Sequence, residues 1–334
     1  MEKKLEQRKT IGMVTPSAPA PALFPERYNR GIEWLIREGF LIKEGQYVLS
    51  KKGLSSASAI ERAQDINSLF EDESVSLIMA TIGGDFASEI LPYLDWDKIK
   101  KNRKGMIGYS DISVLLNAIG VKGHQVVYYG PTLMTEIAEY PEPPVLSRNK
   151  LIEAFDDSES YGITPSEYLL GKGTDWALPP IQRTEQIPVI QKTIRSGCAE
   201  GVVLGGCLEA LERIRGTEYW PDYTGAIMLA ETVEEKFDEK KWRAFITDYR
   251  NMGVLQKLSG LVIGQKNWSI EEVNKLSEML TEATLENPIP ILYGLPFGHI
   301  SPIATFPLFT SAKLDADQML LVYEKPFKYT YIKR

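Results

Sequence analysis

Along the first 130 residues, short apolar runs alternate with stretches whose apolar positions recur every three or four residues. Residues 10–14, 76–82, 105–109 and 125–129 are the apolar runs, and each reads as a strand. Between them, residues 25–37 place Tyr28, Ile32 and Leu35 at helical spacing, with Gly39 as a stop. Ser58 followed by Glu61 has the form of a capping box, and Ile60, Ala63, Ile66 and Phe70 then share most of one helical face. Residues 87–94 and 111–119 carry shorter helical patterns. Strands that are apolar throughout need cover on both faces, so the alternation predicts a parallel sheet with helices on either side.

Proline then clusters at 140–144, a helix is predicted over about 147–155, and a polar stretch with Gly162, Pro165, Gly171, Gly173 and Pro179 runs on to Pro180. That stretch predicts a connection between two domains, ordered in part as a loop over a site. Strand-like segments follow at 187–194, 201–204, 226–230, 261–264 and 290–293, with helices near 208–215, 240–252 and 270–286. Residues 312–323 alternate like a hairpin arm. The expected architecture is α/β: an N-terminal parallel-sheet domain over 1–160, a linker and active-site loop over 161–185, and a β-rich C-terminal α/β domain over 186–334.

Composition narrows the chemistry. With 334 residues, 43% apolar and 25% charged, the chain is ordinary for a globular enzyme or binding protein. Its 38 basic and 45 acidic residues leave a net charge of −7, which argues against a nucleic-acid polymer as partner. The 2 histidines, His124 and His299, and 2 cysteines, Cys198 and Cys207, match no zinc spacing, and with no D-x-D-x-D-G run, G-x-G-x-x-G or Walker pattern the expectation is no metal and no cofactor. A single possible cysteine pair is no disulfide framework and points to a reducing, cytoplasmic compartment. Pro16, Pro19 and Pro21 break any signal-peptide core, and no apolar run approaches a membrane span.

Gly108-Tyr109-Ser110-Asp111 lies where an apolar strand turns into a helix. A serine there stands at the carboxyl end of a parallel strand, where open α/β sheets bind ligands, and at a helix N-terminus that favours developing negative charge. This is nucleophile-elbow logic without the G-x-S-x-G pattern. The same residues also fit a plain N-cap. A serine nucleophile needs a base. His299 follows Gly294-Leu-Pro-Phe-Gly at a strand end and is the better placed histidine, whereas His124 sits in a polar turn. Glu231, leaving the strand over 226–230, is a candidate to orient the base, with Glu234 and Glu235 as competitors. Gly83-Gly84 can bring backbone N–H groups close, and the N–H groups of Gly84 and Asp111 are the candidate oxyanion donors. A tight turn is the alternative for that glycine pair, and close strand–helix packing for the second pair, Gly205-Gly206.

Several blocks together resemble the LD-carboxypeptidases, and among them the microcin-immunity branch. They are Ile82-Gly-Gly-Asp85 with Leu91-Pro-Tyr-Leu-Asp95, Ile107-Gly-Tyr-Ser-Asp-Ile-Ser113, Tyr129-Gly-Pro-Thr-Leu133, residues 201–208, Leu229-Ala-Glu231, and Gly298-His299 with Phe306-Pro307. The resemblance implies a Ser–Glu–His triad with Ser110 as nucleophile, Glu231 as orienting acid and His299 as base. It implies a flavodoxin-like N-terminal domain, an active site between the two domains, and a homodimer. Gly83, Gly206, Trp176 and Trp220 become candidate substrate contacts, Trp176 as the aromatic residue of the loop that stacks on a nucleobase. The implied reaction is acyl-enzyme cleavage of an amide-type bond in a peptidyl or aminoacyl nucleotide. Removal of a C-terminal D-amino acid from a murein tetrapeptide is the alternative, and a non-catalytic peptide or nucleotide binder is the alternative of another class. Two departures bear on specificity: Cys207 stands where the family pattern suggests Asn, and Asp85-Phe86 follow Gly84.

Overall fold

The computed structural model describes residues 9–173 and 175–331. The first half builds one sheet from β1 (Thr10–Val14), β2 (Leu41–Glu44), β3 (Val75–Ala80), β4 (Gly105–Gly108) and β5 (Val127–Tyr129). Their order is β5-β4-β3-β1-β2, and all these pairings are parallel. Alternate side chains go to opposite faces, as the two-residue strand period requires. Leu77, Met79 and Ile107 join one apolar cluster with Ile11, Tyr28 and Leu35, while Ile78, Ala80 and Met106 join another with Ile66 and Leu116. Burial on both faces is why β1, β3, β4 and β5 read as continuous apolar runs, whereas the edge strand β2 is largely exposed and carries no such signal. The predicted capping box is present: Ser58 Oγ accepts from the Glu61 N–H at 3.4 Å, and Glu61 Oε2 accepts from the Ser58 N–H at 2.8 Å.

The remaining strands are β6 (Ser160–Ile163), β7 (Tyr168–Leu170), β8 (Gln186–Pro188), β9 (Lys192–Arg195), β10 (Cys198–Cys207), β11 (Ile227–Glu231), β12 (Gly260–Gly264), β13 (Ile291–Leu295), β14 (Phe306–Leu308), β15 (Ser311–Asp315) and β16 (Leu320–Glu324). Eight of them form a second sheet in the order β6-β16-β15-β10-β11-β12-β13-β9. Its centre, β10 to β13, is parallel and its two flanks are antiparallel.

Two features depart from the expected division. Residues 161–185 are not one connecting loop. Their start lies in β6, which pairs with β16 because Tyr161 and Ile163 alternate inward against Tyr323 and Leu321. β7 then pairs with β8 as a separate ribbon. Further on, β14 returns to the first sheet and pairs antiparallel with β5, Phe306 opposite Tyr129. The N-terminal sheet is thus completed by a strand from the last tenth of the chain.

The helix Ser113–Gly123, which follows β4, is buried along nearly its whole length. A helix apolar on all sides belongs in a core rather than on a surface. Here it joins the two halves: Asn117 Nδ2 donates to the Gly205 carbonyl at 3.1 Å, and Gly120 faces the Phe309 ring. A Cβ at Gly120 would fall 2.1 Å from that ring. Gly120→Ala is therefore expected to overpack the junction and cost about 1–3 kcal/mol, read as a lower urea midpoint. An unchanged midpoint would show that the ring can move aside freely.

Candidate active site

β4 delivers the chain to Ser110 in an unusual conformation. Tyr109 is extended, Ser110 has φ of 63°, and the backbone then enters a tight turn over Ser110–Ile112 before the helix Ser113–Gly123. A left-handed φ costs a serine on the order of 1 kcal/mol, and strain of this kind persists only where neighbours enforce it. Tyr109 and Asp111 on either side are buried and do so.

His299, on the loop after β13, places Nε2 2.9 Å from Ser110 Oγ and Nδ1 3.0 Å from Glu231 Oε2. An ionised carboxylate only accepts, so Nδ1 carries the hydrogen and Nε2 is left to accept from the serine hydroxyl. Glu231 ends β11 and is fully buried. Its Oε1 accepts from the Tyr129 hydroxyl at 2.6 Å, and its Oε2 also accepts from the His299 backbone N–H at 3.3 Å. Lys266, itself buried, places Nζ 3.5 Å from the same oxygen and also donates to the Thr232 carbonyl. Burial works to raise the Glu231 pKa, but the charges of His299 and Lys266 and the hydrogen bonds from His299 and Tyr129 outweigh it and hold the group at about 2. Gly298, at φ 97°, allows the close approach: a Cβ there would lie 2.6 Å from Glu231 Oε2.

The glycine loop after β3 meets this assembly from the other side. A Cβ on Gly83 would sit 3.3 Å from Ser110 Oγ and 3.4 Å from the Asp111 nitrogen. Only glycine leaves that space open. The buried Asp111 carboxylate fastens the loop, since Oδ2 accepts from Ser17 Oγ at 2.7 Å and from the Ala87 N–H at 2.9 Å. Ser17 Oγ accepts from the Phe86 N–H at 3.0 Å, and the Gly83 carbonyl accepts from the Ala18 N–H at 3.1 Å.

His299 and Tyr109 form part of the wall of a cavity of about 860 Å³, a size that suits a small ligand. Trp176 lines it too. The Arg27 guanidinium covers one face of the indole at 4.4 Å from its centre, and the Phe24 ring stands perpendicular to it with centroids 5.6 Å apart. Arg27 and Arg183 both pair with Glu139 along the same wall. The structure does not bring two other candidate contacts to this cavity. Trp220 packs between Tyr223 and Tyr249 at 5.5 and 5.9 Å, an aromatic anchor of the C-terminal half. Gly206 lies behind the serine, where its Cα faces the Tyr129 ring and Ser113 Oγ. The rival acids have other partners: Glu234 pairs with Lys241, and Glu235, in the wall of the same cavity, pairs with Lys172 at 3.1 Å. His124 caps the buried helix at its far end with φ of 55° and packs its ring on Tyr329. Cys198 and Cys207 are both free thiols, and burial pushes Cys207 well above the usual thiol range.

Three contributors were missed in the sequence. Tyr129 stood only as part of a sequence block. Lys266, two residues past β12, carries the signal that singled out Glu231: a charge leaving a buried strand at its end. Arg213, which bonds the Asp111 carboxylate, carries no local signal at all.

Known proteins resemble this chain over most of its length. Residues 11–130 match the LD-carboxypeptidase N-terminal domain and residues 200–314 the LD-carboxypeptidase C-terminal domain. The chain is 32% identical over 318 residues to the microcin C7 self-immunity protein MccF of Escherichia coli, covering 92% of this chain and 91% of that one. It is 25% identical over 326 residues to a probable murein peptide carboxypeptidase of Bacillus subtilis, covering 96% and 93%. A solved structure of MccF in complex with aspartyl sulfamoyl adenosine superposes with a TM-score of 0.87 at 29% identity, covering 97% of this chain and 98% of that one.

The Glu231 environment has a consequence for acid stability. A carboxyl held at about 2, against 4.5 in the unfolded chain, stabilises the fold fully above pH 4.5 and loses that contribution as pH falls through about 2. Acid unfolding of the wild type should show a loss in this window that Glu231→Gln lacks. Parallel pH dependences for the two proteins would contradict the assignment.

Proposed function

This chain belongs to the LD-carboxypeptidase family, and we propose that it is a serine hydrolase of the MccF type that cleaves an amide-type bond in a peptidyl or aminoacyl nucleotide. The observation that carries the reading is the hydrogen-bonded chain Ser110–His299–Glu231 beside a cavity lined by Trp176. His299 Nε2 takes the hydroxyl proton as Ser110 Oγ attacks the carbonyl carbon. Glu231 fixes the imidazole tautomer and stabilises the imidazolium that forms. The oxyanion develops toward the N–H groups of Gly84 and Asp111, and a donor of this kind contributes about 3 kcal/mol in the transition state. As the tetrahedral intermediate collapses, the C–N bond breaks and His299 returns the proton to the leaving nitrogen. Water, deprotonated by His299, then attacks the acyl-Ser110 ester and releases the acid.

The relative solved with aspartyl sulfamoyl adenosine supports a nucleotide leaving group, and Trp176 supplies an aromatic surface for its base. The murein reading, removal of a C-terminal D-amino acid from a tetrapeptide, draws on the Bacillus subtilis relative. The same family reading carries a homodimer in the cytoplasm. It needs no metal or cofactor, because attack, proton transfer and oxyanion stabilisation are all assigned to this chain's own groups. Among the described residues, no helix is long and apolar enough to cross a membrane.

Ser110→Ala is expected to abolish hydrolysis of an acyl-sulfamoyl adenosine while leaving the circular dichroism spectrum unchanged, and undiminished turnover would remove the proposal. A fluorophosphonate should label Ser110 in the wild type, whereas a non-catalytic binder would stay unlabelled. Trp176→Ala should raise KM for the nucleotide substrate about tenfold or more, the loss of roughly 1–3 kcal/mol of base stacking. If the murein tetrapeptide is the faster substrate and Trp176→Ala leaves both KM values alone, the murein reading replaces the nucleotide one.

A further inference from the structure

Of the two assigned oxyanion donors, one belongs to Asp111 and the other to Gly84, next to Asp85, and both aspartates share one arginine. Arg213 lies in the turn that follows the short helix Leu208–Leu211 after β10, in the C-terminal half. Its Nη1 bonds Asp111 Oδ1 and its Nη2 bonds Asp85 Oδ1 at 2.7 Å. Asp111 directly follows the nucleophile, and Asp85 directly follows Gly84. The guanidinium thus spans the two segments between which an oxyanion would be held. Planar, with a rigid fork of donors, it fixes the spacing of two carboxylates as a flexible ammonium does not.

The two carboxylates are unequal. Asp111 is buried, and its other oxygen is already occupied by Ser17 and the Ala87 N–H. Asp85 is largely exposed, so its bond to Arg213 adds little stability on its own. That bond does restrain the residue after Gly84, whose φ of 149° is open only to glycine. Gly83, Phe86 and Ala87 are held through Ala18, Ser17 and Asp111, and Arg213 adds the contact on Asp85 between them.

We propose that Arg213 is a positioning residue for the hydrolase reaction, tying Asp85 to Asp111 so that the Gly84 and Asp111 N–H groups converge on one point. The inference rests on the serine-hydrolase reading above and deepens it. It places the setting of the oxyanion site in the C-terminal half of the chain, while both donors belong to the N-terminal half. Asp85, a departure from the family pattern, acquires a role as the anchor this arginine grips.

The test compares Arg213→Ala and Arg213→Gln with the wild type and Ser110→Ala, using an acyl-sulfamoyl adenosine. Misaligned donors act on the transition state more than on the bound substrate. Both arginine variants are expected to lose about tenfold or more in kcat with KM within twofold of the wild type, read on folded protein because the buried Asp111 carboxylate loses its cation and the melting temperature falls. Asp85→Ala should lower kcat in the wild-type background and add nothing in the Arg213→Ala background, as shared action requires. A merely structural arginine would move the melting temperature and leave kcat of the folded variants intact. A kcat within threefold of the wild type in Arg213→Gln, or fully additive losses with Asp85→Ala, would overturn the proposal. Ser110→Ala separates the outcomes: if it still turns over, the parent reading fails, whereas an inactive Ser110→Ala beside a fully active Arg213→Gln sinks this inference alone.

Discussion

A carboxylate with no access to water organises this molecule. Glu231 sits at the end of a buried strand, and an ion there is tolerable only if its lost hydration is replaced group by group. The replacements come from separate parts of the chain: the Tyr129 hydroxyl from β5, the Lys266 ammonium from beyond β12, and the ring and backbone N–H of His299 from beyond β13. Each must arrive in register or the charge is left exposed to an apolar interior. The proposed catalytic line is thus also a folding constraint, because the histidine that meets Ser110 is one of the groups that make Glu231 affordable to bury.

The serine side answers to a different constraint. Ser110 is held in a left-handed backbone conformation by buried neighbours, and the helix that follows it is wrapped by both halves of the protein. Rigidity at Ser110 therefore derives from the packing between halves as well as from the turn itself. The glycine loop that faces it is held by polar contacts through Ser17, Asp111 and Arg213, so an apolar clamp and a polar clamp meet at one hydroxyl.

Much of this was legible in the sequence, for identifiable reasons. The parallel strands announced themselves because burial on both faces forces unbroken apolar runs, and Ser58 with Glu61 marked a helix start through a purely local hydrogen-bond pattern. Ser110, Glu231 and His299 stood out since each ends or follows an apolar strand, and strand ends are where such sheets place polar chemistry. The illegible parts depend on distant partners. β6 hides among glycines and prolines until Tyr161 finds Tyr323, β14 is too short to declare its sheet, and Arg213 looks like any helix-turn arginine until Asp85 and Asp111 are folded against it. Trp220 misled for the same reason: a tryptophan in a polar setting does not say which aromatic neighbours it has.

The return of β14 to the edge of the first sheet has an implication for how this molecule is made and moves. A ribosome releasing the chain would leave β5 with a bare hydrogen-bonding edge until Phe306–Leu308 emerges, so the amino-terminal layer cannot be finished by its own residues alone. The mature protein, sewn together by that late stitch, resists swinging apart as two hinged lobes.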